Sequence, residues 1–170
     1  MLLILALICM ISAIILLGAL SYIDLKERIL PNELVLALAC SGFVFHLCTV
    51  FHFFTLTDIV IGALIGGGLL FIIREISNRF HGEDTLGLGD VKLMAAGGMW
   101  LGPEAILIAI TLGAIMGVVH GLIIGIYASY HAKVPMKWDK MSVPAGPGFA
   151  VGLILAAIYT FSGFPAMLFK

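Results

Sequence analysis

Six long apolar stretches, separated by short polar connections, constrain this chain more than any other feature: 2–23, 34–54, 59–73, 91–101, 105–130 and 149–169. The hydrocarbon core of a bilayer, about 30 Å thick, takes roughly 20 helical residues, and only helices or closed barrels satisfy their backbone groups inside it. Runs this apolar and this long predict helices. The expected fold class is therefore all-α, a polytopic membrane protein of about six transmembrane helices in one domain, 1–170. Composition agrees, with 62% hydrophobic and 11% charged residues against roughly one-quarter charged in soluble domains. The third and fourth runs are short. Residues 91–101 reach only about 16 Å as a helix, so the fourth helix is expected to start below the interface or to recruit its flanks.

The cations fix an orientation. Lys26 and Arg28, then Arg74, Arg79 and Lys92, then Lys133, Lys137 and Lys140 occupy alternate connections and make up eight of the nine Lys and Arg residues. By the positive-inside rule that side is cytoplasmic and both termini are non-cytoplasmic. The first run has no basic n-region and no small-residue cleavage pattern, so a retained membrane helix is expected. A net charge of -1 leaves no basic field for nucleic acid. Cys9, Cys40 and Cys48 lie in apolar runs without a Cys-x-x-Cys pair, which predicts small buried residues and neither a disulfide framework nor a zinc site. His46 and His52 do not share a helix face, and His81, His120 and His131 are scattered. Neither a metal site nor a cofactor is expected.

Against this background two carboxylates stand out. Asp24 ends the first apolar run, and Asp90 follows Gly87-Leu88-Gly89 at the start of the fourth. A carboxylate at a membrane boundary is costly and calls for a reason. Taken singly, each has an ordinary explanation: an interface charge paired with Lys26 or Arg28 for Asp24, and a helix N-cap for Asp90. The charge argument nevertheless brings both to the cytoplasmic half of the membrane. Two carboxylates sharing a site predict that one ionises while the other keeps its proton. Glu75, Glu83 and Asp84 read as a solvated loop face, and Tyr130 and Trp138 as interface markers.

The segment from Asp24 to Pro31-Asn32, the run Gly87-Leu88-Gly89-Asp90-Val91-Lys92-Leu93-Met94-Ala95-Ala96 and the later Trp100-Leu101-Gly102 together resemble the bacterial prepilin peptidases, polytopic aspartic proteases of the GxGD type. Val143-Pro144-Ala145-Gly146-Pro147-Gly148 resembles that family's Pro-x-Gly-Pro segment, with Ala145 where phenylalanine is frequent. The resemblance implies Asp24 and Asp90 as the catalytic pair, with Gly87, Gly89, Lys92, Pro31 and Asn32 shaping the site. It implies cleavage of the short basic leader of type IV prepilins at the cytoplasmic face of the bacterial inner membrane. Bifunctional members carry a cytoplasmic insertion with paired Cys-x-x-Cys motifs and also N-methylate the new pilin terminus. Here only a short turn joins the first two runs, so the chain resembles the peptidase-only forms of Flp-type tight-adherence pili, with no methyltransferase or zinc insertion.

Glycines recur every four residues at Gly113, Gly117, Gly121 and Gly125, at Gly62 and Gly66, and at Gly148 and Gly152, which predicts close helix packing. Expected partners are prepilin precursors and membrane lipids, and self-association through the glycine faces stays open. Two other functions fit parts of the pattern, a small proton-coupled transporter and a non-catalytic membrane scaffold. A transporter predicts acids spaced along a path across the bilayer. A scaffold predicts that both aspartates tolerate substitution.

Overall fold

Apolar length marks the helices of this chain but not their ends. The computed structural model describes residues 1–81, 86–132 and 144–165, and these are helical, with short turns and no strand among them. The helices are α1 (Leu2–Glu27), α2 (Asn32–Cys48), α3 (Leu56–His81), α4 (Leu88–Ala132) and α5 (Gly146–Thr160). Three of them, α1, α3 and α4, are long and apolar enough to cross a membrane. Large side chains such as Ile4, Ile15, Leu64, Ile72 and Ile123 point outward. Such apolar faces suit lipid and would be a liability in water.

The third helix differs most from expectation. It runs 26 residues to His81, well past the end of its apolar run at 73, so Arg74, Glu75 and Arg79 stand on helix and not in a loop. Arg79 Nε lies 3.4 Å from Glu75 Oε1, an i,i+4 pair, and Arg74 Nε donates to the Leu86 carbonyl at 2.9 Å. Hydropathy measures how long a helix stays in lipid, whereas such pairs and backbone hydrogen bonds extend it into water. Residues 82–85 lie outside the described residues, and so do the expected roles of Glu83 and Asp84.

The fourth run begins at Leu88 and not at Val91, and it continues across the expected fourth connection. A straight helix of 45 residues would reach about 67 Å. It is broken instead at Gly102, where φ 68 and ψ −176 suit a residue without a Cβ, and Pro103 follows with no N–H to give back to the preceding turn. The rods 88–101 and 103–132 thus meet without a loop. At the second run, helix α2 stops at Cys48, and Val50 and Phe51 turn the chain through positive φ. The last helix starts at Gly146, earlier than expected, and ends at Thr160.

Small residues set the packing. A Cβ on Gly62 would fall onto the Gly98 carbonyl, and one on Gly98 onto Gly62, so α3 crosses the first rod of α4 backbone to backbone. A Cβ on Gly148 or Gly152 of α5 would likewise fall onto the second rod's backbone, at Gly113 and Gly117 or at Ala109 and Gly113. Away from these crossings the core gathers on Phe45, whose ring centroid is 5.2 Å from Trp100, 4.9 Å from Phe161 and 5.7 Å from Phe164. His46, fully buried, faces the Trp100 carbonyl with Nε2 at 3.1 Å. Cys9 and Cys48 are buried as expected, whereas Cys40 faces outward.

Candidate active site

One end of the bundle collects the C-terminus of α1 and the N-termini of α2, α4 and α5, and both singled-out aspartates are there. Among the described residues Asp24 and Asp90 are the only buried carboxylates, each 7% exposed. Burying a carboxylate is costly unless it is paired or hydrogen-bonded, so their surroundings decide what each can do.

Asp24 sits one turn before the end of α1. Its backbone carbonyl accepts the N–H of Arg28 at 3.0 Å, and Arg28 ends the helix in a left-handed conformation. Its carboxylate Oδ2 accepts the backbone N–H of Gly146 at 2.9 Å. Gly146 is the first residue of α5, so the unpaired amide end of that helix faces Asp24, an arrangement that suits an anion. A Cβ on Gly146 would stand 2.6 Å from the same oxygen, which is why the position requires glycine. Lys26 turns to Glu27, 3.9 Å away. Of the two pairings expected for Asp24, the one with Lys26 does not form, while the charge of Arg28 is near enough to act on the carboxylate.

Asp90 is the third residue of α4, inside its first turn and not at the N-cap. Its N–H donates to the Gly87 carbonyl at 3.2 Å, which folds the glycine segment under the carboxyl. A Cβ on Gly87 would lie 3.2 Å from Asp90 Oδ2. Asp90 Oδ1 is buried with no hydrogen-bond partner among the described residues. Asp24 is close enough for its charge to act on Asp90.

The remaining predicted residues surround this pair. Lys92 Nζ donates to Asn32 Oδ1 at 2.9 Å, joining the starts of α4 and α2. Pro31 is the N-cap of α2, with φ −60 and ψ 131, an extended conformation that proline's fixed φ favours. Gly89 lies under the side chain of Leu30. The structure therefore brings Asp24, Pro31, Asn32, Gly87, Gly89, Asp90 and Lys92 to one place from sequence positions far apart. Sequence reasoning missed two contributors. Gly146 acts through its backbone amide, on which side-chain pattern is silent, although Ala145-Gly146-Pro147 forms part of a motif. Leu30 looked like any apolar residue in a turn.

Other candidates fall elsewhere. His46 belongs to the aromatic core at the opposite end, and His52 to the turn after α2. Among the described residues no three His, Cys, Asp or Glu side chains gather as a metal ion would need. Lys133, Lys137, Trp138 and Lys140 lie outside the described residues.

Over residues 11–122 the chain matches the type IV leader peptidase family, a stretch that contains both aspartates and stops short of Gly146. It is similar to the prepilin leader peptidase/N-methyltransferase of Aeromonas hydrophila, 33% identical over 141 residues, 83% of this chain and 46% of that one. The protein of the same description from Pectobacterium carotovorum subsp. carotovorum is 38% identical over 104 residues, covering 61% of this chain and 37% of its own length. That of Neisseria gonorrhoeae is 30% identical over 113 residues, 66% and 39%. The chain spans less than half the length of these relatives. No solved structure matches it.

Proposed function

Because the chain belongs to the type IV leader peptidase family, we propose that it is an aspartic endopeptidase of the bacterial inner membrane that removes the short basic leader from Flp-like type IV prepilins at the cytoplasmic face. The observation that carries this reading is the convergence of the two buried carboxylates, Asp24 from α1 and Asp90 from α4, at the end of the bundle where the cations Lys26, Arg28 and Lys92 also lie. In the proposed reaction the ionised carboxylate takes a proton from a water as its oxygen attacks the scissile carbonyl carbon. The protonated one gives its proton to the carbonyl oxygen. Collapse of the tetrahedral intermediate breaks the C–N bond as the carboxyl that took the water's proton gives it to the leaving amine, and the other carboxylate regains a proton from the intermediate's hydroxyl. The pair titrates as a unit, so its two apparent pKa values belong to both residues.

The wider arrangement belongs to the same reading. The rods on either side of Gly102 serve as two crossings, which with α1, α2, α3 and α5 makes six, and both termini are outside. The catalytic pair is Asp24 and Asp90, with Pro31, Asn32, Gly87, Gly89 and Lys92 shaping the site. The whole chain acts as one membrane domain surrounded by lipid. Cleavage without methylation belongs to the same proposal, supported by the short connection of Arg28 to Pro31 between α1 and α2. A proton-coupled transporter needs titratable groups along a path, and the buried carboxylates here share one end.

Co-expression with a Flp-type prepilin tests the proposal. The size shift of the pilin and the mass of its new N-terminus should report a cleaved, unmethylated product with the wild type, and an intact precursor with Asp24→Asn or Asp90→Asn. Normal processing by either variant would remove the assignment. A methylated product would remove the peptidase-only part of it.

A further inference from the structure

The distance between two carboxylates on different helices depends on what ties those helices together, and here the tie is the turn between α1 and α2. That turn is short and stiff. Arg28 leaves α1 with φ 55 and ψ 35, and Pro31, whose ring fixes φ, enters α2 with φ −60. It meets the first turn of α4 at two points. Leu30, only 8% exposed, covers Gly89 so closely that a Cβ there would lie 2.9 Å from Leu30 Cβ and 3.0 Å from Cδ1. Two residues on, Asn32 Oδ1 receives the Lys92 ammonium at 2.9 Å. One contact is apolar and one polar, and they lie on either side of Asp90 in sequence.

We propose that Leu30 is a positioning residue for the carboxylate pair: seated on Gly89, it fixes how far Asp90 stands from Asp24, and the Asn32–Lys92 hydrogen bond holds the same turn in register. This rests on the peptidase reading above and gives the second glycine of the Gly-Leu-Gly-Asp segment a physical reason. The site requires no special backbone angle from Gly89. What it requires is the absence of a side chain where Leu30 lies. Nothing in the geometry brings Leu30 to the reacting atoms, so it acts only through the placement of Asp90.

A double-mutant cycle on cleavage of a Flp-type prepilin by the purified full chain separates positioning from bulk stability. Gly89→Ala adds one methyl to a helix, which by helical preference alone does not destabilise it. It should nevertheless lower kcat about 10²-fold, the cost of a misplaced catalytic group, with KM little changed and the protein still folded at the assay temperature. Leu30→Ala should lower kcat about tenfold, and Leu30→Met, which refills the space, should recover most of that loss. The pair Leu30→Ala with Gly89→Ala should cut faster than Gly89→Ala alone, because two of the three close contacts of the added methyl, those with Leu30 Cγ and Cδ1, are then gone and only that with Cβ remains. Losses that simply multiply, or that track loss of folded protein, would overturn this inference while wild-type cleavage upholds the peptidase reading. Absence of cleavage by the wild type would overturn that reading and this inference together.

Discussion

The two ends of the bundle each bury a titratable side chain with one polar atom left without a partner among the described residues, and they use this differently. At the aromatic end His46 donates through Nε2 to the Trp100 carbonyl, and its Nδ1 has no partner among the described residues. A carbonyl only accepts, which fixes the hydrogen on Nε2. The acceptor lies just before the Gly102–Pro103 break, where helical carbonyls lose their donors. The ring therefore mends a helix end, wedged among Phe45, Phe54 and Phe161. At the aspartate end the bare atom is Asp90 Oδ1, and the nearby titratable group is a second carboxylate, itself held by the Gly146 amide. A buried unpartnered polar atom does not by itself mark a reactive site. A second group able to take or give the proton does.

That comparison makes stability and cleavage separable, and substitutions at the two ends should affect one or the other. The largest effect is expected at the aspartates. Asp90→Asn should lower cleavage by about 10²–10⁴-fold, the usual contribution of general acid–base catalysis, while the thermal midpoint of the purified protein holds or rises. A variant that unfolds instead would mean Asp90 is structural, and the contrast between the ends would collapse. Phe45→Ala should do the reverse. Removing the ring that touches Trp100, Phe161 and Phe164 should cost about 3–5 kcal/mol of stability, with cleavage per folded molecule unchanged. Loss of catalysis at full stability would show that the ends are coupled.

Smaller changes sharpen the same contrast. His46→Leu leaves the Trp100 carbonyl unpaired, which should cost about 1–3 kcal/mol, read as a lower thermal midpoint with kcat intact. A fall in kcat would bring the histidine into the chemistry. Smallest of all, Lys92→Leu removes an exposed hydrogen bond to Asn32 that should contribute about 1 kcal/mol to stability. Its effect on kcat should exceed its effect on the thermal midpoint, and equal proportional losses in both would deny that bond a role in placing the site.

Much of this architecture is legible in the sequence because lipid imposes so few solutions. Apolar runs this long predict helices, and glycines at four-residue spacing give close crossings at Gly62, Gly148 and Gly152, whereas a Cβ on Gly117 would meet nothing within 4 Å. Helix ends are less legible. Hydropathy ended the third helix at 73 because it registers lipid, while Glu75 and Arg79 carry α3 onward with an i,i+4 pair. It divided 91–101 from 105–130 where the chain has a break but no loop. At the site, Asp24 and Asp90 were visible because charge is rare here, and Lys92 and Asn32 because a motif pointed to them. Gly146 lies in a motif that does not reveal its role, and Leu30 lies in none. One works through a backbone amide and the other by filling the space a glycine leaves, and both contacts exist only once helices distant in sequence have met.

The account's central claim is that Asp24 and Asp90 work as one unit, and the most direct test compares prepilin cleavage by the wild type, Asp24→Asn, Asp90→Asn and the double variant, all purified and shown to be folded. Residues that act together lose nearly everything with the first removal, so the account predicts two equally severe single losses and a double variant no slower than either. Two modest losses that multiply in the double variant would contradict it, and would mean that the carboxylates act separately or not at all in the bond-breaking step.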